Sequence, residues 1–441
     1  MTAVCDVLVV GAGLSGLVCA RRLSAGGARV IVLEAQPRVG GRLLTAQLAG
    51  APVDLGGTWM SAGQQRLAAL ARELDVASFA ERRRGSAVLD EPGGLWTHLR
   101  RAFTQLRAMR RIERAARAIP LDAPATAPYA SKLDAVSLED WLAREVADPI
   151  VRDRIALHAD LVLAADRSTL SLLHYLVTLG ATGGFGAKGP ELPGGGREHR
   201  FVGGAQRLAL RLAEELGDAV HLDEPVVRIE LSGAAARVHT AAATYTADHV
   251  VLALPPALAR NLDVELPAPA RALAAASSPG AVVKCVAAYE RPFWREQGRS
   301  GEIYQPRGAV RATVDATAPD GPATLLAFVV GPEAVAWRAR SAEDRRAEVL
   351  ATLTDKLGAV AAHPVDYLER DWSADPWSAG CVACLPTNVL STGAAWRSAH
   401  GRLHFAGTES AVSWPGYMEG AIEAGERAAE EILGDGPVEH G

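Results

Sequence analysis

The sequence lacks any apolar run of the ~20 residues that a helix needs to span a bilayer. No basic segment with a small-residue cleavage site precedes the first candidate strand, Val4 to Val10. These absences predict a cytoplasmic protein with no membrane contact. Cysteine is also scarce, with 5 in 441 residues. An odd count in a long chain disfavours a disulfide framework, and the CxxC pair of Cys381 and Cys384 has no second pair at zinc spacing, so no metal site is expected.

The chain also lacks a large excess of positive or negative charge. Charged residues make up 22% of the chain and the formal net charge is -5, whereas nucleic-acid binding favours a strongly basic domain. One basic stretch lies within residues 96–119, where Phe103, Leu106 and Met109 follow helical spacing. We interpret its arginines as the solvated face of an amphipathic helix, with binding to an acidic partner as the alternative. They are Arg100, Arg101, Arg107, Arg110, Arg111, Arg114 and Arg117.

The N-terminal segment, residues 4–34, has the pattern of a strand, a glycine turn, a helix and a second strand. In this βαβ unit Gly11 permits the tight turn, Gly13 lets the backbone approach a pyrophosphate, and Gly16 lets helix and strand pack closely. Glu34 closes the second strand, where a carboxylate accepts hydrogen bonds from ribose and disfavours a 2′-phosphate. The unit predicts a bound dinucleotide other than NADP. The alternative is a purely structural glycine turn.

The next segments carry a family resemblance. Residues 34–42 read EAQPRVGGR, and residues 54–59 read DLGGTW. Both are similar to the flavin-binding fold of the amine oxidase and p-hydroxybenzoate hydroxylase-like groups. The resemblance implies that Arg42 faces the pyrophosphate of FAD. It also implies that Gly57 and Trp59 pass beside the isoalloxazine ring.

Further matches make the resemblance closest to monoamine oxidase over nearly the whole chain. The resemblance implies an α/β fold in which a Rossmann-like FAD-binding domain is interleaved with a mixed helical and β-sheet substrate domain. The FAD domain would combine residues 1–78, 203–276 and 376–435, and the substrate domain 79–202 and 277–375, with the flavin ring between them. The matching segments are residues 195–204, 224–226, 251–256, 284–294, 371–372, 377–381, 405–409 and 414–427.

The resemblance also assigns roles residue by residue. Lys284 would hold a water near flavin N5, with Tyr417 and Trp372 as the other catalytic candidates. Cys381 stands where monoamine oxidases attach their flavin covalently. Val382 stands where they carry a second tyrosine. The full set of cofactor-binding candidates is Gly11, Gly13, Gly16, Glu34, Arg42, Gly57, Trp59, Val226, Cys381, Glu409 and Met418.

Three residues are candidates for contact with the substrate: Arg197, Val382 and Leu161. Arg197 aligns with an uncharged glutamine of the monoamine oxidase cavity, and an arginine there can take a carboxylate in a bidentate pair. The alternative is that Arg197 turns to solvent or pairs with an acid of its own domain. Lys284, in turn, could be an ordinary surface lysine at a strand edge.

The reaction implied is oxidation of an amine or amino acid by bound FAD. Hydride leaves the carbon that bears the amine, the imine hydrolyses to aldehyde or ketone plus ammonia, and O2 is reduced to H2O2. Three alternatives stay open: a flavin desaturase or other C–C oxidant on the same fold, a flavin-binding protein without turnover, and an NAD-dependent dehydrogenase. The identity of the substrate and a homodimeric assembly are left open too.

Overall fold

The computed structural model describes residues 2–82, 84–89, 95–185, 197–231 and 233–434. Gly195 and Gly196, which open one of the segments that resemble the family, lie outside these residues, as does the chain after Gly434.

The described strands are β1 (Thr2–Val10), β2 (Val30–Leu33), β3 (Thr45–Leu48), β4 (Ala51–Asp54), β5 (Trp59–Met60), β6 (Ser78–Ala80), β7 (Ser86–Leu89), β8 (His199–Phe201), β9 (Val220–His221), β10 (Val226–Glu230), β11 (Ala236–Thr240), β12 (Thr244–Leu252), β13 (Asp263–Val264), β14 (Ser278–Pro279), β15 (Val282–Tyr289), β16 (Arg299–Tyr304), β17 (Val310–Asp315), β18 (Ala323–Val330), β19 (Asp366–Asp371), β20 (Ala383–Cys384) and β21 (Leu403–Phe405).

The described α-helices are α1 (Leu14–Ala25), α2 (Gln65–Glu73), α3 (Leu95–Arg117), α4 (Ala130–Asp134), α5 (Leu138–Glu145), α6 (Pro149–Leu163), α7 (Leu172–Ala181), α8 (Gln206–Leu216), α9 (Pro256–Ala259), α10 (Ala268–Ala276), α11 (Phe293–Glu296), α12 (Pro332–Trp337), α13 (Ala342–Leu357) and α14 (Met418–Gly434).

The first large sheet has eight strands, in the order β13-β10-β11-β12-β1-β2-β9 with β21 also paired to β12. Strand β1 lies inside it, parallel to both β2 and β12. From Cys5 to Val10 its residues are buried on both faces, as expected for a parallel strand covered by helices. The strands β1, β2, β12 and β21 run parallel, so their carboxyl ends meet at one edge, where such sheets bind their ligands.

The second large sheet has six strands, in the order β19-β15-β18-β17-β16-β7. Strand β15 carries Lys284 and is paired on both sides, where Lys284 faces Phe328 of β18 and Arg370 of β19. Every residue of β15 is buried. The alternative of a lysine at an exposed strand edge is therefore wrong. The sequence did not predict β7 or β19, the outermost strands of this sheet.

The helices α3 to α7 follow β7 along the chain and precede the other five strands of the second sheet. Here the interpretation of α3 needs correction. Phe103 and Leu106 are 73% and 44% exposed, and of the three apolar residues only Met109 turns inward.

Among the described helices, none is both long and apolar enough to cross a membrane. The strands of the two large sheets come from the segments predicted for two interleaved domains, whose boundaries stay a prediction.

Candidate active site

A cavity of about 890 Å³ runs from the carboxyl edge of the eight-stranded sheet to the face of the six-stranded sheet. This volume is at the upper end of the ~300–1,000 Å³ typical of small-molecule sites. All the sequence-predicted site residues line the cavity except Gly16 and Glu409. One continuous space therefore joins the glycine turn to Lys284, Tyr417 and Arg197.

The glycine turn lines one end of the cavity, which we call the nucleotide end. Gly11 has φ = 104°, a conformation that favours glycine. A Cβ on Gly16 would lie 2.0 Å from the carbonyl oxygen of Gly11, so Gly16 packs α1 against β1. A Cβ on Gly13 would meet nothing within 4 Å, and Gly13 lines the cavity. The turn thus leaves backbone open to the cavity at the start of α1, where the helix dipole favours a phosphate.

Glu34 is held rigidly at the end of β2. Its carboxylate accepts one hydrogen bond from Ala12 N at 2.7 Å and another from Gln36 N at 2.9 Å. Burial raises the pKa of Glu34 despite these two donors. Val226 lines the same end of the cavity. The orientation of the Glu34 carboxylate is therefore set by two backbone donors at the wall of the cavity.

Arg42 and Glu409 form a forked ion pair beside the glycine turn. Arg42 Nη1 donates to Glu409 Oε1 at 2.7 Å, and Nη2 donates to Oε2 at 3.1 Å. Arg42 Nη1 also donates to the carbonyl oxygen of Cys381 at 2.6 Å. Glu409 was predicted to contact the cofactor, but it lies behind Arg42 and off the wall of this cavity. Its contact with a ligand would be made through Arg42.

Lys284 projects from β15 into the far end of the cavity, where it is 7% exposed. Its ammonium donates to the carbonyl oxygen of Gly56 and, at 3.0 Å, to Thr58 Oγ1. The Nζ atom also lies 5.3 Å from the ring centroid of Trp59. Burial lowers the pKa of Lys284 to about 8, against the opposing charge of Asp54. Lys284 can therefore change its charge near neutral pH, as groups at functional sites often do.

Aromatic and apolar side chains wall the cavity around Lys284. Trp372 is fixed by a hydrogen bond from Nε1 to the carbonyl oxygen of Leu55 at 2.7 Å. Tyr417 packs edge-on against Trp414, with ring centroids 5.5 Å apart. Val382 packs against Gly416, where a Cβ would lie 2.4 Å from Val382 Cγ1. In this part of the cavity wall, Tyr417 therefore lies beside the aliphatic side chain of Val382.

Cys381 lines the cavity beside Val382, and it is a free thiol. Burial raises its pKa, while Arg42 and Lys284 pull in the opposite direction. Cys384, the other member of the CxxC pair, is buried and donates to the carbonyl oxygen of Leu163. No group of side chains within the described ranges could hold a metal ion.

Arg197 and Leu161 line the cavity at the end away from the glycine turn, which we call the substrate end. Its Nη2 donates to Glu302 Oε1 at 2.5 Å and to Tyr304 OH at 2.8 Å. Arg197 thus lines the cavity and also pairs with an acid, the alternative that the sequence left open. Its guanidinium carbon lies 5.7 Å from the ring centroid of Trp59.

Comparison with known proteins settles the family. Residues 14–433 match the sequence model of the family described as flavin containing amine oxidoreductase. The chain belongs to this family. The amine oxidoreductase is 33% identical to amine oxidase [flavin-containing] B of Sus scrofa, over 98% of this chain and 87% of that one.

Solved structures agree with that assignment. Wild-type putrescine oxidase bound to putrescine superposes with a TM-score of 0.93 at 32% identity, over 98% of this chain and all of that one (100%). Cyclohexylamine oxidase from Brevibacterium oxydans superposes with a TM-score of 0.92 at 30% identity, over 98% and 99% of the two chains. The two-domain amine oxidase fold and the flavin-dependent oxidation of amines are thereby confirmed, and a nicotinamide dehydrogenase is set aside.

The sequence missed several residues that line the cavity of this amine oxidoreductase. Thr58 lies within the segment that resembled the family, so its contact with Lys284 could have been suspected. Tyr304 and Phe328 lie on strands of mostly buried residues, where nothing in the sequence pattern distinguishes a cavity wall from the core. Arg154 projects from α6 and donates to Gln105 at 3.0 Å, and both line the cavity. Arg154 lies outside every segment that resembles the family, so no motif pointed to it.

Proposed function

We propose that the flavin is FAD and that the enzyme removes hydride from the carbon that bears the amine of a small amine or amino acid. The observation that carries this proposal is the single cavity that joins a dinucleotide-type glycine turn to a buried lysine in an aromatic enclosure. When bound, the flavin would accept the hydride and pass the electrons to O2, which gives H2O2. The imine product would then hydrolyse to aldehyde or ketone plus ammonia.

The residues at the nucleotide end fit an extended dinucleotide. Gly13 leaves room for a pyrophosphate, and Arg42 offers a fixed positive charge nearby. Glu34 offers a carboxylate to a ribose. A carboxylate at this position favours an unmodified adenosine ribose, which FAD has.

The charges at the other end favour a neutral amine. Lys284, Arg197 and Arg154 all line the cavity, whereas among its described lining residues the one carboxylate is that of Glu34, at the nucleotide end. Basic neighbours and burial both disfavour an ammonium ion. An amine can lose hydride from its carbon only when its nitrogen lone pair is free. The same charges attract a substrate that carries a carboxylate besides its amine.

The walls would orient the substrate. Tyr417 and Trp372 present aromatic surface near Lys284, and Leu161 adds apolar surface at the substrate end. These side chains exclude water and hold the reacting carbon toward the flavin. A C–C oxidant on the same fold is the second candidate, since fold alone does not fix the reaction.

One experiment separates the candidates. The purified enzyme should show the absorption bands of an oxidised flavin, and acid extraction should release FAD or leave it on the protein. A panel of primary amines and amino acids should then bleach the flavin without oxygen and generate H2O2 in air. Bleaching by a C–C substrate but by no amine would overturn the proposal.

The position of Cys381 leads to a prediction about attachment. We propose that Cys381 Sγ is bonded to the 8α-methyl group of the flavin, because the thiol lines the cavity and stands at the attachment position of monoamine oxidases. Acid-denatured wild-type protein should keep its yellow colour on a filter, and Cys381→Ala should lose it to the filtrate. Cys384→Ala is the matched control and should keep the colour. Complete release of the colour from the wild type would contradict the bond.

Arg197 leads to a prediction about the substrate class. Its pairing with Glu302 and Tyr304 orients the guanidinium at the cavity wall, and an arginine can serve more than one acceptor. We propose that it contacts the acid group of an amino acid substrate. Arg197→Gln should lower kcat/KM for the α-carboxylated form of an amine by ~10²-fold and leave the plain amine little changed.

The control for Arg197 is its partner. Glu302→Gln keeps the arginine and removes the competing carboxylate, so it should retain or improve turnover of the acid. An Arg197→Gln variant that slows both substrates alike, or a wild type that prefers the plain amine, would show that Arg197 is structural.

A further inference from the structure

The outer face of α3 combines exposed apolar and basic side chains. Trp96 and Phe103 are 83% and 73% exposed, and Leu99 and Leu106 are 43% and 44% exposed. At 3.6 residues per turn these four positions lie in one stripe of the helix. The exposed arginines of the same stripe are Arg100, Arg107, Arg110 and Arg114. We call these eight residues the α3 outer face.

The opposite face of α3 holds the helix in place. Ile112 and Ala116 are buried, and Gln105 and Met109 line the active-site cavity. Trp96 and Phe103 of the outer face therefore bury little of their surface against the described part of the chain. Large apolar side chains that are clustered and exposed mark a surface that binds something else.

The charge of the face decides between occupants. A second copy of this chain, bound through a two-fold axis, would bring the arginine stripe against itself, which is unfavourable. A nucleic acid could stack on Trp96 and Phe103, but it would leave the apolar surface of Leu99 and Leu106 unused. Arginines together with tryptophan, phenylalanine and leucine match a helix that lies in the interface of an anionic bilayer.

We propose that the α3 outer face docks on a membrane surface rich in anionic lipid. The helix lies in the plane of the interface. Trp96, Leu99, Phe103 and Leu106 insert among the headgroups, and the four arginines contact lipid phosphates. No helix spans the bilayer in this arrangement. Because Gln105 and Met109 of the same helix line the cavity, docking brings an apolar amine dissolved in the lipid close to the enzyme's active site.

Vesicle binding tests the proposal. The flavin-loaded enzyme is sedimented with vesicles of phosphatidylcholine alone or of phosphatidylcholine mixed with phosphatidylglycerol. Binding should require the anionic lipid and weaken as salt is added. The variant Trp96→Ser/Phe103→Ser should partition at least ~10-fold less well, because two buried apolar side chains are lost. Arg107→Gln/Arg110→Gln should lose the preference for anionic lipid.

The control is a variant in which two exposed apolar side chains outside the α3 outer face are replaced by serine. Val335→Ser/Val360→Ser removes two other exposed apolar side chains, 58% and 46% exposed, and should bind vesicles as the wild type does. All variants should oxidise a soluble amine at the wild-type rate, which shows that they fold. Three results would overturn the proposal: a wild type that ignores anionic vesicles, a Trp96→Ser/Phe103→Ser variant that binds them unchanged, or a wild-type dimer that this variant turns into a monomer.

Discussion

Replacing Lys284 with methionine should slow the reoxidation of the reduced enzyme by O2 by about 10²-fold, the usual cost of removing one preorganised group that stabilises developing charge. The reason is the placement of the ammonium. It is buried, it is held by Gly56 and Thr58, and it faces the cavity where negative charge develops as O2 is reduced. Stopped-flow mixing of the amine-reduced enzyme with oxygenated buffer measures the effect.

The reductive half of the reaction is the internal control for Lys284. Anaerobic bleaching by an amine needs no positive charge at this position, so its rate should change by only a few-fold. The pKa of Lys284 is lowered to about 8, which means that the cation is present below that pH and is lost as the pH rises through it. Wild-type reoxidation should therefore slow above about pH 8, and the methionine variant should show no such slope. Equal slowing of both half-reactions would contradict the role.

Replacing Arg42 with methionine should abolish flavin retention and destabilise the protein. The side chain of Glu409 is 8% exposed, and its described hydrogen bonds both come from Arg42. An acid left unpaired in such a site costs about 3–5 kcal/mol of stability. The purified variant should be colourless. It should unfold at a lower urea concentration than the Cys381→Ala protein stripped of flavin, which keeps Arg42 and has no covalent bond to the cofactor.

A double variant separates binding from folding at this ion pair. Arg42→Met/Glu409→Leu removes both charges, so most of the lost stability should return. The flavin should still be absent, because the positive charge near the pyrophosphate site is gone. A double variant that binds flavin normally would show that Arg42 only neutralises Glu409.

The parts of the fold that could be predicted were those determined by residues close together in the sequence. The glycine turn and Glu34 needed only the geometry of one βαβ unit, and the structure places them as expected. The resemblance to a family located Lys284, Tyr417 and the other candidates that line the cavity. These assignments depend on short segments whose order in the chain is informative by itself.

The parts that could not be predicted depend on contacts between distant segments. Arg197 pairs with Glu302, which is 105 residues away, so no local pattern could show it. The face of α3 was misjudged because Phe103 and Leu106 share one side of the helix with Arg107 and Arg110. Helical periodicity shows that these residues lie together, but it does not show which side faces the core.

The last helix that the structure describes, α14, packs against the first one, α1. α14 packs on α1 so closely that a Cβ on Gly425 would lie 2.4 Å from the carbonyl oxygen of Ser15, and β21 joins the same sheet as β1. During synthesis the ribosome releases the glycine turn long before these partners. The nascent chain must therefore keep its glycine turn uncovered until β21 and α14 have emerged, and we expect capture of the flavin to follow that late step of synthesis.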